Sequence, residues 1–305
     1  MEIAELKDLF EGARERLFTE REKRIHPLKD DKILTSWNGL MIAAMAKAYQ
    51  ALGDQAYVDA AQAAAGFISN TLKKDGHRLF RRYRDGEVAY PGYLDDYSNF
   101  VWGLIELYEA TFEASYLEEA INLNQTMIDL FWDETYGGFF YSGKENEDLI
   151  KQSKEIYDGA IPSSNSVAAL NLMRLGHIIG DRDLVNRAEQ LAGTFAKRIK
   201  AYPSAYTQFL AALDFMIGPS HEIVIVESQN GKSSKSIVEA IHRQFVPNKV
   251  LLLRPADRQK DRIAALAPFI KELGSQGDRP AVHICKQQNC QKTVTEVDQI
   301  EKALS

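Results

Sequence analysis

The stretch Asp30-Asp31-Lys32-Ile33-Leu34-Thr35-Ser36-Trp37-Asn38-Gly39-Leu40 decides the architecture, because its pattern returns twice further along the chain. The other two versions are Leu94-Asp95-Asp96-Tyr97-Ser98-Asn99 and Asp158-Gly159-Ala160-Ile161-Pro162-Ser163-Ser164-Asn165. Each contains an Asn with an acid three to eight residues upstream, and runs into an apolar helical segment. A polar, acid-bearing turn repeated at helix entrances suits a ring of helical hairpins that lines a shared cavity.

The three Asn residues stand 61 and 66 residues apart. With them equated, Gly53, Ala114 and Gly180 all fall fifteen residues later, where a tight turn between two helices is expected. Gly76 and Gly137 fall thirty-eight later and open the aromatic stretches 79–83 and 139–141. The repeating unit therefore reads as helix, turn, helix, then a short extended segment. Its period is too long for tetratricopeptide or ankyrin units, at ~33–34 residues, or for HEAT units, at ~40–47. First helices rich in small residues (Ala43, Ala44, Ala46, Ala48; Ala168, Ala169) suit an inner ring, and the more charged second helices an outer one. The pattern predicts a mainly α fold: a partial α/α toroid of helical hairpins over residues 1–218, opened by an amphipathic helix at 2–25.

After Gly218-Pro219 the texture changes. Short apolar runs at 222–226, 249–253 and 281–285 read as strands, alternating with helices at 233–245, 263–273 and 297–304. That alternation predicts a small C-terminal α/β domain, residues 219–305, with a largely parallel sheet.

Composition bounds the function. The 305 residues carry a net charge of −6 at a pI near 5.6, which argues against nucleic acid as a partner. No apolar run reaches the ~18 residues of a membrane span, the N-terminus has no signal-peptide core, and two cysteines fit a reducing compartment. The cytoplasm is the expected location, with no membrane partner. The six histidines do not cluster with ligand spacing, so no metal and no cofactor is expected. Gln229–Lys235 lacks the first glycine of a phosphate loop and reads as a polar loop before a helix. Cys285 and Cys290 are not spaced as C-x-x-C. A buried structural cysteine with a loop thiol is the plain reading, and a thiol-redox role the other.

The entrance acids Asp31, Asp95, Asp96 and Asp158 admit two readings. They could face a cavity as general acid and base for sugar chemistry, or they could cap helix starts by accepting free N–H groups. The adjacent pair Asp95-Asp96 is the better catalytic candidate, since one residue suffices for a cap. Aromatics crowd the same loops: Trp37, Tyr83, Tyr90, Tyr93, Tyr97, Phe140, Tyr141 and Tyr157. Their rings suit the apolar faces of a sugar or glycan, or they brace long loops; Trp37, Tyr93 and Tyr97 are the expected binding residues. Asn38, Asn99 and Asn165 join that set, because Asn is a poor helix former whose repeated placement implies a specific amide bond, to a loop carbonyl or to a ligand.

Asp-Asp-Lys-Ile-Leu-Thr-Ser-Trp-Asn-Gly-Leu-Met (30–41), Tyr-Leu-Asp-Asp-Tyr (93–97), Asp-Gly-Ala-Ile-Pro-Ser-Ser-Asn-Ser (158–166) and the late Cys285…Cys290 segment together resemble the thioredoxin-domain-containing proteins of the spermatogenesis-associated protein 20 family. The resemblance implies an N-terminal thioredoxin-like domain followed by a six-hairpin glycosidase-like toroid. That toroid is similar to those of N-acylglucosamine 2-epimerases and unsaturated glucuronyl hydrolases. The chain departs from this plan: it carries no thioredoxin-like segment, and the roughly seven or eight toroid helices read here cannot close a ring of six hairpins. A fragment with an uncovered toroid face, prone to self-association, is therefore expected. No histidine stands at an entrance, which argues against the epimerase reaction. Two functions follow as expectations: a carbohydrate-active or carbohydrate-binding cavity, or a non-enzymatic scaffold that positions a thioredoxin-like domain on client proteins.

Overall fold

The computed structural model describes residues 2–304 except 75–76, 145–151, 229–233, 258 and 287–288, with backbone alone at 286, 289–291 and 301. Gly76 of the repeat and most of the 229–235 loop thus lie outside the described residues. The chain divides into two compact units, Met1–Ile33 and Leu34–Ser305. The first unit holds α1 (Ile3–Glu22), a charged helix that buries none of its residues and leaves Leu9, Phe10 and Leu17 exposed. Its chain ends in β1 (Ile33–Leu34), at the junction.

In the second unit the repeat becomes hairpins. α2 (Thr35–Leu52) turns into α3 (Gln55–Phe67), α4 (Leu94–Thr111) into α5 (Ala114–Phe131), and α6 (Ser164–Ile179) into α7 (Arg182–Ala201). α8 (Thr207–Ile217) follows. α2 packs on α4, α4 on α6 and α6 on α8, while α3, α5 and α7 each pack on the outside of their own partner. This is a partial α/α toroid: α2, α4, α6 and α8 form the inner row and α3, α5 and α7 the outer. α7 is a plain outer helix, burying one stripe (Leu184, Ala188, Leu191, Phe195, Ile199) at helical spacing. α4 is buried nearly all round.

Local chemistry sets the turns. Gly53 and Gly180 end α2 and α6 at φ +72° and +77°, a left-handed conformation that costs glycine nothing. Asp54 and Asp181 then cap α3 and α7 through their side chains. The middle hairpin departs from the repeat: Phe112 takes the left-handed position at φ +57°, and Ala114 already opens α5. The inner row is tight because two glycines meet where α2 crosses α4. A Cβ on Gly39 would lie 2.5 Å from the Asn99 carbonyl carbon, and one on Gly103 2.9 Å from the Gly39 carbonyl oxygen.

The segment between the first two hairpins holds β2 (Lys73–Lys74), β3 (Arg78–Arg84) and β4 (Glu87–Pro91). β3 and β4 form an antiparallel hairpin turning at Asp85-Gly86, with φ +52° and +83°. An Asp-Gly pair is the sequence signal of such a turn. The expectation of a merely extended segment understated it.

Beyond the cis Gly218-Pro219 bond lie β5 (His221–Val226), α9 (Lys235–Arg243), β6 (Lys249–Arg254), α10 (Gln259–Leu266), β7 (Ala281–Lys286), β8 (Asn289–Val294) and α11 (Val297–Leu304). The sheet order is β6-β5-β7-β8. Only β5 and β6 are parallel; β7 runs antiparallel to β5 and β8 antiparallel to β7. The largely parallel sheet expected from alternation is thus corrected. β7 and β8 form a hairpin in which Cys285 stands opposite Cys290, so Cys290 belongs to a strand and not a loop. Ile223, Ile225, Leu251 and Val282 of the sheet pack with Ile237 and Ile241 of α9 and Ile300 of α11. This layer packs on the toroid through α2 against α9, and through α4 and α6 against β6. No helix among the described residues is long and apolar enough to cross a membrane.

Candidate functional site

Most of the expected site residues stand at or beside the N-terminal ends of the inner helices, and the structure distributes their work unevenly. Asp96, the third residue of α4, is fully buried. Its Oδ1 accepts the Ser36 amide at 3.0 Å, and its Oδ2 accepts the Tyr93 amide at 2.9 Å. One carboxylate therefore closes the open amides at the starts of both α2 and α4. Arg81, from β3, reaches Asp96 Oδ2 at 3.3 Å and Asp95 Oδ1 at 3.1 Å, tying the two acids together. The Asp95 side chain is 15% exposed, so it is the member of the pair that meets solvent.

Burial pushes the Asp96 carboxyl up to about 7, and the Asp95 charge adds to the push, against the Tyr93 amide, Arg81 and the Ser36 amide. The same neighbourhood pushes the Tyr141 hydroxyl up to about 12, through burial first and Asp95 second. Two neighbouring carboxyls, one shifted upward by burial and one facing solvent, form the kind of pair that can divide acid and base roles. The upward shift also has a stability consequence. Asp96 rises from 3.8 to about 7, so its contribution is complete below pH 3.8 and is lost as pH rises through 7. In urea denaturation at pH 5 and pH 8, wild type is expected to lose stability across that interval. Asp96→Asn, which cannot ionise, should show a flatter profile, and equal slopes in the two proteins would contradict the shift.

The aromatic wall is built on the same residues. Tyr93 stacks on Tyr141 with ring centres 5.2 Å apart, and the Arg81 guanidinium lies 5.0 Å from the Tyr93 ring centre. Trp37, the residue after Ser36, is 61% exposed on the first turn of α2. Tyr97 points elsewhere: it is buried, its hydroxyl accepts the Leu79 amide at 2.9 Å, and its ring meets Phe131 edge-on. Tyr97 thus braces β3 against the toroid.

Three of the remaining expected residues, Asp158, Asn165 and Asn38, hold backbone. Asp158 accepts the Ser163 amide at 2.8 Å and the Gln208 and Phe209 amides at 2.9 and 3.1 Å, so it caps the start of α8 from a distant loop. Asn165 accepts the Phe139 amide and donates to the Phe139 and Glu155 carbonyls. Asn38 donates to the Leu34 carbonyl at 2.8 Å, one turn back. Asn99 is buried with its Oδ1 unpartnered. Asp31 belongs to the other unit, where it is exposed. Arg81 escaped the sequence reading as a site member, and Tyr141 was named there among the loop aromatics but not as a binding residue. Arg81 was visible only as one arginine of an arginine-rich strand, Arg-Leu-Phe-Arg-Arg-Tyr-Arg.

A second charged cluster lies further down the inner helices. Glu106 of α4 is fully buried and receives Arg174 of α6, Lys47 of α2 at 3.2 Å and the Trp102 indole N–H at 3.0 Å. Arg174 also reaches Glu109 at 3.0 Å. Burial pushes Glu106 up, but Arg174 and Lys47 outweigh it and hold the carboxyl down at about 2.

No protein-family model matches the chain. Over its whole length the chain is 32% identical to spermatogenesis-associated protein 20 of Homo sapiens and 34% identical to that of Mus musculus. It spans 40% of the length of these relatives. Among solved structures it is similar to a family 76 α-mannanase of Bacteroides thetaiotaomicron, with a TM-score of 0.49 at 14% identity over 71% of this chain and 59% of that one. It is also similar to a cellobiose 2-epimerase of Bacillus thermoamylovorans, with a TM-score of 0.46 at 17% identity over 56% of this chain and 46% of that one.

Proposed function

Because this chain belongs with the relatives of spermatogenesis-associated protein 20 along its full length, we propose from its own geometry that it is a carbohydrate-active toroid segment whose ligand sits at the mouth formed by the starts of α2 and α4. The observation that carries this reading is the Asp95–Asp96–Arg81 cluster, which the Ser36 amide ties to the first turn of α2, where the following residue is an exposed tryptophan. An exposed indole on a rigid first turn offers a flat apolar face to a sugar ring, while a partly exposed carboxylate accepts hydroxyl hydrogens beside it. Trp37 is the stacking platform and Asp95 the group that meets the sugar as acid or base. Arg81 keeps Asp95 oriented. Asp96 acts beneath them, fastening the two helix starts so that Trp37 and Asp95 hold a constant spacing. Tyr93, stacked on Tyr141 and lying beneath Arg81, supports the same wall.

Neutral oligosaccharides arrayed against the full chain test this. At least one is expected to bind, with Trp37→Ala weakening it tenfold or more, about 1.4 kcal/mol. Asp95→Asn is expected to keep binding and to abolish turnover of the bound sugar. An array on which wild type retains nothing would overturn the proposal, as would a bound glycan indifferent to Trp37→Ala.

A further inference from the structure

A cavity of about 390 Å³ opens between the inner helices and the α9–β6 connection, lined by Lys47, Trp102, Glu106, Arg174, His242 and Lys249 among others. It is separate from the mouth: Lys47 lies ten residues along α2 from Trp37, and Glu106 eleven along α4 from Asp95, about 15–17 Å at a helix's 1.5 Å rise per residue. Two acceptors on residues of its wall are buried without a partner. Glu106 Oε2 has none, although Oε1 of the same carboxylate takes Arg174, Lys47 and Trp102. His242 Nε2 has none either. Burial and Lys249 push that imidazole down to about 4, so it is neutral at neutral pH. Its bond to the Glu109 backbone favours the protonated ring, as a bond donated to a carbonyl does. The nitrogen making that bond carries the hydrogen, and Nε2 is left with a lone pair.

An unpartnered buried acceptor costs roughly 1–3 kcal/mol, and a ligand that donates to it recovers that cost. The ligand must therefore bring at least two hydrogen-bond donors. An ammonium group would bring them with a positive charge, toward Lys47, Arg174 and Lys249. The cavity's charges balance: these three cations face Glu106, Glu109 and Asp214, which favours a neutral guest. Lysine ammonium groups on the wall also need acceptors, and a hydroxyl both donates and accepts. Trp102 and Phe215 supply apolar surface for a carbon skeleton.

We propose that this cavity is a second binding site, for a small neutral polyol whose hydroxyls donate to Glu106 Oε2 and His242 Nε2 and accept from the lysines. It goes beyond the mouth proposed above and does not depend on it.

Saturation-transfer NMR on the full chain with myo-inositol tests the idea, with inorganic phosphate and ethylammonium as charged comparisons. Saturable binding of myo-inositol is expected, weakened tenfold or more by His242→Leu and by Trp102→Leu and unchanged by Trp37→Ala. Circular dichroism establishes that each variant is folded. Lys47→Met, on a side chain 55% exposed, serves as the gentler variant should the others unfold, and a several-fold loss is expected from it. Preferential binding of phosphate or ethylammonium would overturn the proposal. So would no binding by wild type, or a response to Trp37→Ala with none to His242→Leu and Lys47→Met. Oligosaccharide binding at the mouth should survive His242→Leu, so the two proposals fail separately.

Discussion

Arg174→Met is expected to destabilise the chain by about 3–5 kcal/mol, the range for removing one partner from a buried ionic network. Arg174 bridges Glu106 and Glu109, both on α4 and both buried. Without it two carboxylates remain in a low-dielectric interior, with Lys47 and the Trp102 indole N–H still on Glu106. Urea denaturation at pH 7 measures the effect as a lower midpoint with the slope retained. Arg174→Lys should fall between wild type and Arg174→Met, because one ammonium cannot span two carboxylates as a guanidinium fork does. Doubling Arg174→Met with Glu106→Gln should recover part of the loss, since the amide carries no charge to desolvate.

The pH dependence has a definite sign. Glu106 is held at about 2 against an ordinary 4.5, so wild type has its contribution above pH 4.5 and loses it as pH falls toward 2. In Arg174→Met the unpaired carboxylates take up protons more readily. The gap between variant and wild type should therefore narrow on acidification. A gap that stays constant from pH 7 to pH 3 would show that Arg174 acts by packing alone.

Gly39→Ala is the second large effect, about 3 kcal/mol, at the upper end of the cost of overpacking a core. The added methyl would lie 2.5 Å from the Asn99 carbonyl carbon and 2.6 Å from the Phe100 nitrogen. Both are backbone atoms inside a buried helix and have no rotamer by which to move aside. α2 and α4 must separate, which draws the Ser36 amide from Asp96 and loosens the mouth at its base. Gly66→Ala is the matched control: nothing lies within 4 Å of its Cβ, and it sits in α3. That variant should gain up to about 1 kcal/mol from helix propensity. The contrast is read by thermal or urea denaturation, and equal behaviour of the two alanines would refute close approach as the cause.

How much of this was legible depended on the range of the interaction. The hairpin turns were readable at Gly53 and Gly180, where a left-handed helix end selects glycine and an Asp follows as the next cap. The middle turn was misplaced by two residues because Phe112 adopts the same conformation without glycine, and nothing in its side chain announces that. The entrance acids were readable as special. Their duties were not, because capping and catalysis draw on the same residue types.

The sequence by itself determined the inner and outer helical rows, the positions of the entrances and the switch to strands after Gly218, all consequences of local periodicity and turn chemistry. Only the tertiary structure decided that Asp96 fastens a helix start sixty residues away, that Asp158 serves α8, and that Arg81 joins the site from a hairpin. It also paired Glu106 with Arg174 across sixty-eight residues and reversed β7 against β5. Side-chain type says that a buried carboxylate needs partners, and a repeat says where it enters a helix. Which partner it finds depends on how closely two helices approach, and here two glycines at one crossing set that distance.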